Sequence, residues 1–597
     1  MSPAAPEVAP DAPEPQPIWF GPGGGLFGLY HPPAGAARGA AVLLCAPLGY
    51  EGICANRSFR HLALRLSAEG FPVLRFDYAG TGNSSGSDAD PGRVEAWLAS
   101  VGAAASELRA RSGTQRLALA GVRVGALLAA WAAPSLEVDS LVLWAATPSG
   151  RAWVREIKAF AGMRQREAGG ASGDVESAGF LITSGTAEGL ARLELGKLSA
   201  RPARRVLVLG RDDLPAEPKF AAHFESLGAQ VERRDLPGYQ AMMAYPHLSR
   251  VPHQVWSEVV GWLSADSPRA SAAAAPPPGG PAELLLPGVR ETAVRFGEGG
   301  RLFGILSEPA DGPRADTAVL TLTMASHHQI GPNRLHTRWA RQLAARGWPV
   351  LRFDVSGTGE SLVNHTGIEN APYALDQVAD VSAAMDLLAA RGSRRFVAAG
   401  FCSGAFLAFH TALADPRLGG VVLINPQTFI WKPGDSLDIP QSSTTAEYKS
   451  SLFYGRALLR SETWKRVLRG EVNVRGISAE VAARMAGRLK ERARRAWARV
   501  TDPENAASPV LRWFRQALAR GTDVLLIYGD EDPGLDYLAA HVGNAGGPLR
   551  GEPRFGFRII EGGSEHTFGQ MWAQELISQA LEEHLRARFP VTDGRQA

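Results

Sequence analysis

The chain has little cysteine: Cys45, Cys54 and Cys402 are the only three in 597 residues. That is too few for a disulfide framework and suits a reducing cytoplasm. No run of about 18 apolar residues occurs, which argues against a membrane-spanning helix. Charge of one sign is also lacking. Lys and Arg number 63 against 60 Asp and Glu, a formal net of +3, so no global field would gather nucleic acid or an anionic membrane. The opening MSPAAPEVAPDAPEPQPIWF carries six prolines and three acids and no apolar core of a signal peptide. There is no phosphate-binding loop and no dinucleotide fingerprint. His327 and His328 are adjacent instead of one helical turn apart, so neither metal nor cofactor is expected. These absences leave a soluble cytoplasmic protein too long for one core.

What is present is the same pattern twice. GFPVLRFDYAGTGNS at Gly70–Ser84 returns as GWPVLRFDVSGTGES at Gly347–Ser361, and Asn56-Arg57 returns as Asn333-Arg334, all at an offset of 277. LALAGVRVGALLAA from Leu117 matches FVAAGFCSGAFLAF from Phe396 at an offset of 279. VLVLGRDD ending at Asp213 matches LLIYGDED ending at Asp532 at 319, so the second copy holds about 40 extra residues between these landmarks. Between the copies, SADSPRASAAAAPPPGGP (264–281) offers no apolar face and reads as a linker.

Each copy alternates short apolar runs with amphipathic stretches. AAVLL, VLRF, LALA, LVLW and VLVL in the first copy answer to AVLTL, VLRF, FVAA, VVLI and VLLI in the second. RSFRHLALRLSAEG and RLHTRWARQLAARG read as helices closed by glycine. Continuous hydrophobicity in the strands predicts burial on both faces: two mostly parallel sheets, each covered by helices. Reactive groups in such sheets stand at the carboxyl ends of strands.

At one such end lies Gly400-Phe401-Cys402-Ser403-Gly404, followed by a helix. This is the pattern of a nucleophile elbow, whose glycines give the sharp turn room and whose helix N-terminus faces any charge that develops there. Cys402 holds the nucleophile position and Ser403 is one residue late, better suited to offer its backbone N–H to an oxyanion. VLLIYGDEDPGLD supplies Asp530, Asp532 and Asp536, of which the spacing favours Asp532, and FRIIEGGSEHTFG supplies His566. His566 would move the proton and Asp532 would orient its ring. The loop TMASHHQIGPN places Ala325 and Ser326 as further oxyanion candidates, with His327 and His328 as candidate substrate contacts.

The organisation resembles the α/β-hydrolase superfamily. LRFDVSGTGES resembles the stretch after that family's fourth strand, and the resemblance covers nearly all of both copies. A cysteine at the elbow is similar to dienelactone hydrolases and polyhydroxyalkanoate synthases, whose thiols form covalent acyl intermediates. PLGYEGICANRSFRHLALRLSAEGFPVLRFDYAGTGNSSG in the first copy resembles hydrolases associated with bacterial exosortase and exopolysaccharide clusters. The resemblance implies that the insertion at about 427–520, with the helices WKRVLRG, SAEVAARMAGRLKERARRAWARV and LRWFRQALAR, caps the site. From Lys432 to Arg520 it holds 18 Lys and Arg against 9 Asp and Glu, a charge that suits a coenzyme A or carrier-protein thioester.

In the first copy the elbow survives as Gly121-Val122-Arg123-Val124-Gly125, but a guanidinium is no nucleophile. Asp213 holds the acid position, and Met242 falls where His566 stands in the second copy. The first copy reads foremost as structural, covering part of the second and stabilising the chain; alternatively Arg123 would bind a carboxylate or phosphate, or pair with Asp213. The expected plan is a tail (1–16), a non-catalytic domain (17–263), a linker (264–281) and a catalytic domain (282–590). The expected function is cleavage of a small or carrier-bound ester or thioester through an acyl–Cys402 intermediate. Acyltransferase or cyclase chemistry is the alternative, and a non-catalytic docking scaffold is the reading from another class.

Overall fold

The computed structural model describes residues 12–164, 173–212, 218–269, 282–432, 435, 508–564 and 566–591. Domain 1 contributes β1 (Gln16–Phe20), β2 (Leu26–His31), β3 (Ala41–Cys45), β4 (Val73–Phe76), β5 (Leu117–Val122), β6 (Ser140–Trp144), the short pair β7 (Val175–Ser177) and β8 (Phe180–Ile182), β9 (Arg205–Leu209) and β10 (Gln230–Arg234). Domain 2 contributes β11 (Glu283–Leu286), β12 (Val289–Phe296), β13 (Leu302–Pro309), β14 (Thr317–Leu322), β15 (Val350–Phe353), β16 (Arg395–Phe401), β17 (Leu418–Ile424), β18 (Asp523–Gly529) and β19 (Phe555–Ile560).

The strand orders are β1-β2-β4-β3-β5-β6-β9-β10 and β11-β12-β13-β15-β14-β16-β17-β18-β19, so the second repeats the first with one added edge strand. β4-β3-β5-β6-β9-β10 and β15-β14-β16-β17-β18-β19 are parallel, and the strands before them are antiparallel. The ten apolar runs read from the sequence are the inner strands, and β3, β5, β14 and β18 are buried at every residue. Helices on both faces close two apolar layers per domain, as continuous hydrophobicity requires.

Two expected boundaries shift. Domain 1 continues past 263, because the Ser267 and Pro268 carbonyls accept hydrogen bonds from Arg38 Nη1 (2.8 Å) and the Gly39 N–H (3.1 Å). The insertion is shorter than 427–520: the helix Pro509–Ala519 is a crossover helix of the sheet, its Phe514 ring 4.5 Å from Phe409 and 5.1 Å from Phe429. The expected cap between these limits, and most of the linker, lie outside the described residues.

The domains interlock. Phe27 and Leu29 of β2 pack on Phe303 and Ile305 of β13. Arg334 donates to the carbonyls of Gly80 (2.9 Å), Gly82 (2.8 Å) and Gly86 (2.8 Å), and to that of Ser84. Domain 1 reciprocates: Arg57 (3.2 Å), Arg60 (3.1 Å) and His61 (2.9 Å) converge on Glu369. The arginine of each Asn-Arg pair thus reaches into the other copy, Arg334 to the Gly80-Thr81-Gly82 turn and the residues after it, and Arg57 to Glu369 beyond Gly357-Thr358-Gly359.

Candidate active site

β16 runs straight into Cys402, the cap of the helix Ser403–Ala414, at φ 49° and ψ −110°. A side chain at Gly400 would meet the Gly404 carbonyl at 2.3 Å, and one at Gly404 would meet the Leu322 carbonyl at 2.4 Å. The turn can therefore close only with glycine on both sides, and a non-glycine residue is held in the left-handed region at its tip. Cys402 is 5% exposed, its N–H bonded to the Ile424 carbonyl at 2.9 Å. Tyr373 Oη lies 3.2 Å from its sulfur, which also acts electrostatically on the His566 ring.

Asp532 follows β18 and is fully buried. Its Oδ2 is 2.5 Å from His566 Nδ1, while its Oδ1 accepts from the Gly534 N–H (2.7 Å) and Gln427 Nε2 (3.0 Å). Asp530, the near alternative, instead accepts the N–H groups of Gly563 (3.1 Å) and Ser564 (3.2 Å), pinning the loop that carries His566. Asp536 begins a turn of the helix Gly534–His541. Asn425 clamps the same loop: its Nδ2 donates to the His566 carbonyl at 2.6 Å and its Oδ1 accepts the Gly529 N–H at 2.9 Å. Burial works against a charged His566 ring, but the Asp532 carboxylate and then the Cys402 sulfur outweigh it and hold the ring well above the ordinary imidazole range. Burial, followed by Cys402, pushes the Tyr373 phenol far up.

The oxyanion candidates separate. Ser403 opens its helix, so its N–H is one of the donors a helix cannot satisfy internally. Ala325 does not offer a free donor as expected, because its N–H bonds to Ser403 Oγ at 2.8 Å. Ser326 has φ 70°, and its buried Oγ has no partner among the described residues; a small cavity of about 20 Å³ adjoins it, Ser403 and Tyr373. His327 and His328 point elsewhere. Burial and the neighbouring His328 and His247 push His327 down to about 3, with neither ring nitrogen hydrogen-bonded among the described residues. His328 lines a cavity of domain 1 and is pushed down to about 4 by burial.

At the domain 1 elbow Arg123 repeats the backbone of Cys402, φ 56° and ψ −127°. Its Nε donates to Glu51 at 2.8 Å and its Nη2 to Glu156, while Trp153 Nε1 donates to the second Glu51 oxygen at 3.1 Å. Burial opposes the guanidinium charge, but Glu51 and other neighbours outweigh it and raise Arg123 above the usual range. Met242 is wholly buried. Asp213 lies outside the described residues. Among the described residues no group of three or more His, Cys, Asp or Glu is arranged to hold a metal, and no helix is long and apolar enough to cross a membrane.

Tyr373, Asn425 and Gln427 escaped the reading of the sequence. Asn425 and Gln427 do carry a signal, polar residues in NPQ at a strand's carboxyl end. Tyr373 sits in an aperiodic loop and carries none.

Comparison with known proteins returns a model described as "Alpha/beta hydrolase family" over residues 325–576 and one described as "Serine aminopeptidase, S33" over 53–166. Among curated proteins none matches. Similar solved structures include a lidless α/β serine hydrolase from Xanthomonas campestris (21% identity, 42% of this chain, 93% of that chain, TM-score 0.27). Others are an α/β serine hydrolase homologue from Coxiella burnetii (18%, 42% and 96%, 0.28) and the esterase Est1E from Butyrivibrio proteoclasticus with ferulic acid bound (14%, 40% and 94%, 0.31). These findings correct one expectation. Neither matching family is one of cysteine enzymes, so the dienelactone-hydrolase-like assignment and the acyl-cysteine intermediate it implied are withdrawn.

Proposed function

We propose, for a chain that belongs to the α/β-hydrolase superfamily and acts on ester or thioester bonds, that hydrolysis of a small-molecule substrate takes place at the domain 2 elbow. Cys402, Asp532 and His566 are its proposed catalytic side chains. The observation that carries this reading is the 2.5 Å contact between Asp532 and His566, on the loops that follow β18 and β19. In this arrangement His566 takes a proton from the water attacking the acyl carbon and returns it to the leaving alcohol or thiol, while Asp532 fixes the ring. The Ser403 N–H, at the positive end of its helix, faces the oxygen on which charge develops. Cys402 stands where the serine enzymes of the superfamily carry their hydroxyl.

Domain 1 is the non-catalytic partner in this proposal: Arg123 is ion-paired and Met242 cannot move a proton. The three free, buried cysteines suit a cytoplasmic protein, and a coenzyme A or carrier-protein thioester belongs among the substrates tried. The test is turnover of p-nitrophenyl esters and acyl-coenzyme A by the full chain. His566→Ala and Asp532→Asn should remove it. Undiminished turnover in His566→Ala would overturn the proposal.

A further inference from the structure

A cavity of about 560 Å³ lies in domain 1, closed on one side by domain 2, with Arg123 among its lining residues. This is the size of a small-molecule site. Phe76, Tyr78, Ile157, Phe160, Phe180 and Leu181 give it apolar walls. Its charged groups are matched within the protein. Arg123 meets Glu51 and Glu156, Arg93 meets Asp88 at 3.1 Å, and Arg75 meets both oxygens of Glu360 at 2.9 and 2.7 Å. Arg211 lies 3.9 Å from Glu156 and over the Tyr239 ring. Arg334 is occupied by backbone carbonyls, and Asp77, which accepts the Asn83 N–H at 2.8 Å and is raised by burial to about 6, adds the carboxylate that offsets its charge at pH 7.5. Asp354 is buried, accepts the Gln329 (2.6 Å) and Glu360 (2.9 Å) N–H groups, and is pushed up to about 8 by burial, so it is largely uncharged at neutral pH.

This balance excludes the anion expected from the sequence. A carboxylate or phosphate entering beside Arg123 would meet Glu51 and Glu156, already in place, with no surplus positive charge to offset its desolvation. An uncharged oxygen meets no such penalty. The bonds to Glu51 and Glu156 use the Nε–H and one Nη2–H of Arg123 and leave the two N–H groups of Nη1 and the second of Nη2 as its remaining donors. We propose that the domain 1 cavity binds one uncharged, mainly apolar molecule bearing a hydrogen-bond-accepting oxygen, of the class of a fatty alcohol or acyl ester, and holds it uncleaved. The inference is independent of hydrolysis at domain 2, since it concerns a second site whose elbow carries Arg123 and no nucleophile.

Calorimetric titration of the full chain with decan-1-ol and with decanoate at pH 7.5 tests it. Decan-1-ol should bind one per chain, about tenfold or more tighter than decanoate. Ile157→Trp, which fills the cavity, should weaken decan-1-ol by about tenfold or more and leave ester turnover at domain 2 unchanged. Glu156→Gln, a substitution at a half-exposed side chain, should leave decan-1-ol binding and raise decanoate affinity by about tenfold. Equal or tighter binding of decanoate to the unsubstituted chain overturns the proposal. So does decan-1-ol binding indifferent to Ile157→Trp, or no binding of either ligand.

Discussion

Arg123 and Cys402 occupy one backbone conformation, with φ of 56° and 49°, at the ends of equivalent strands in two interlocked domains. Both turns depend on flanking glycines: a side chain at Gly125 would meet the Ala46 carbonyl at 2.3 Å, as one at Gly404 would meet Leu322. The elbow is therefore a property of the fold, kept where its tip residue cannot react. Chemistry depends on what surrounds the tip. In domain 2 the loops after β17, β18 and β19 bring Asn425, Gln427, Asp532 and His566 together. In domain 1 Ala145 stands at the end of β6, where Asn425 follows β17, and Met242 fills the core where His566 stands. What domain 1 kept is the cavity and the grip on its neighbour.

The sharpest break in the comparison is the pair His566→Ala and Met242→Ala. The first should lower ester turnover by about 10³-fold or more, while the second leaves turnover intact and lowers stability by about 2–5 kcal/mol, read by denaturant titration. Next in size is the tie between domains. Arg75→Ala leaves Glu360 buried and unpaired and should destabilise the chain by about 3–5 kcal/mol. Burial works against the Glu360 charge, but Arg75 brings the carboxyl down to about 2. The stability it adds is therefore present above about pH 4.3 and is lost as pH falls toward 2; Arg75→Ala should flatten that acid limb.

Gly125→Ala and Gly404→Ala should each cost about 1–3 kcal/mol, similar in the two domains, with turnover affected only by the second. The smallest effect concerns His566. Its native pKa is raised, so its stabilising contribution is full below about pH 6.5 and disappears as pH rises through the raised value. The stability gap between the unsubstituted chain and Asp532→Asn should narrow over the same rise. A gap that widens with pH would contradict the assignment of Asp532 as the group holding the proton.

The inner strands were legible because burial on both faces leaves unbroken apolar runs, and the repeat made each run count twice. Outer strands were not: β10, QVERR, is exposed at four of its five residues and has no apolar face to read. The elbow, Asp532 and His566 follow strands and could be named from spacing. Ala325 was misread because the Ser403 side chain, 78 residues on, takes its N–H. The partners Glu51 and Glu156 of Arg123 escaped the sequence for a similar reason, since they reach it from helices 72 and 33 residues away. His328 could not be placed because its surroundings belong to the other domain.

Hydrolysis at one elbow and not the other is tested most directly by isotope. Ester turnover in H₂¹⁸O should yield carboxylic acid carrying one heavy oxygen from the unsubstituted chain and from Met242→Ala, and no product above background from His566→Ala. Labelled acid formed at an undiminished rate by His566→Ala would contradict the account.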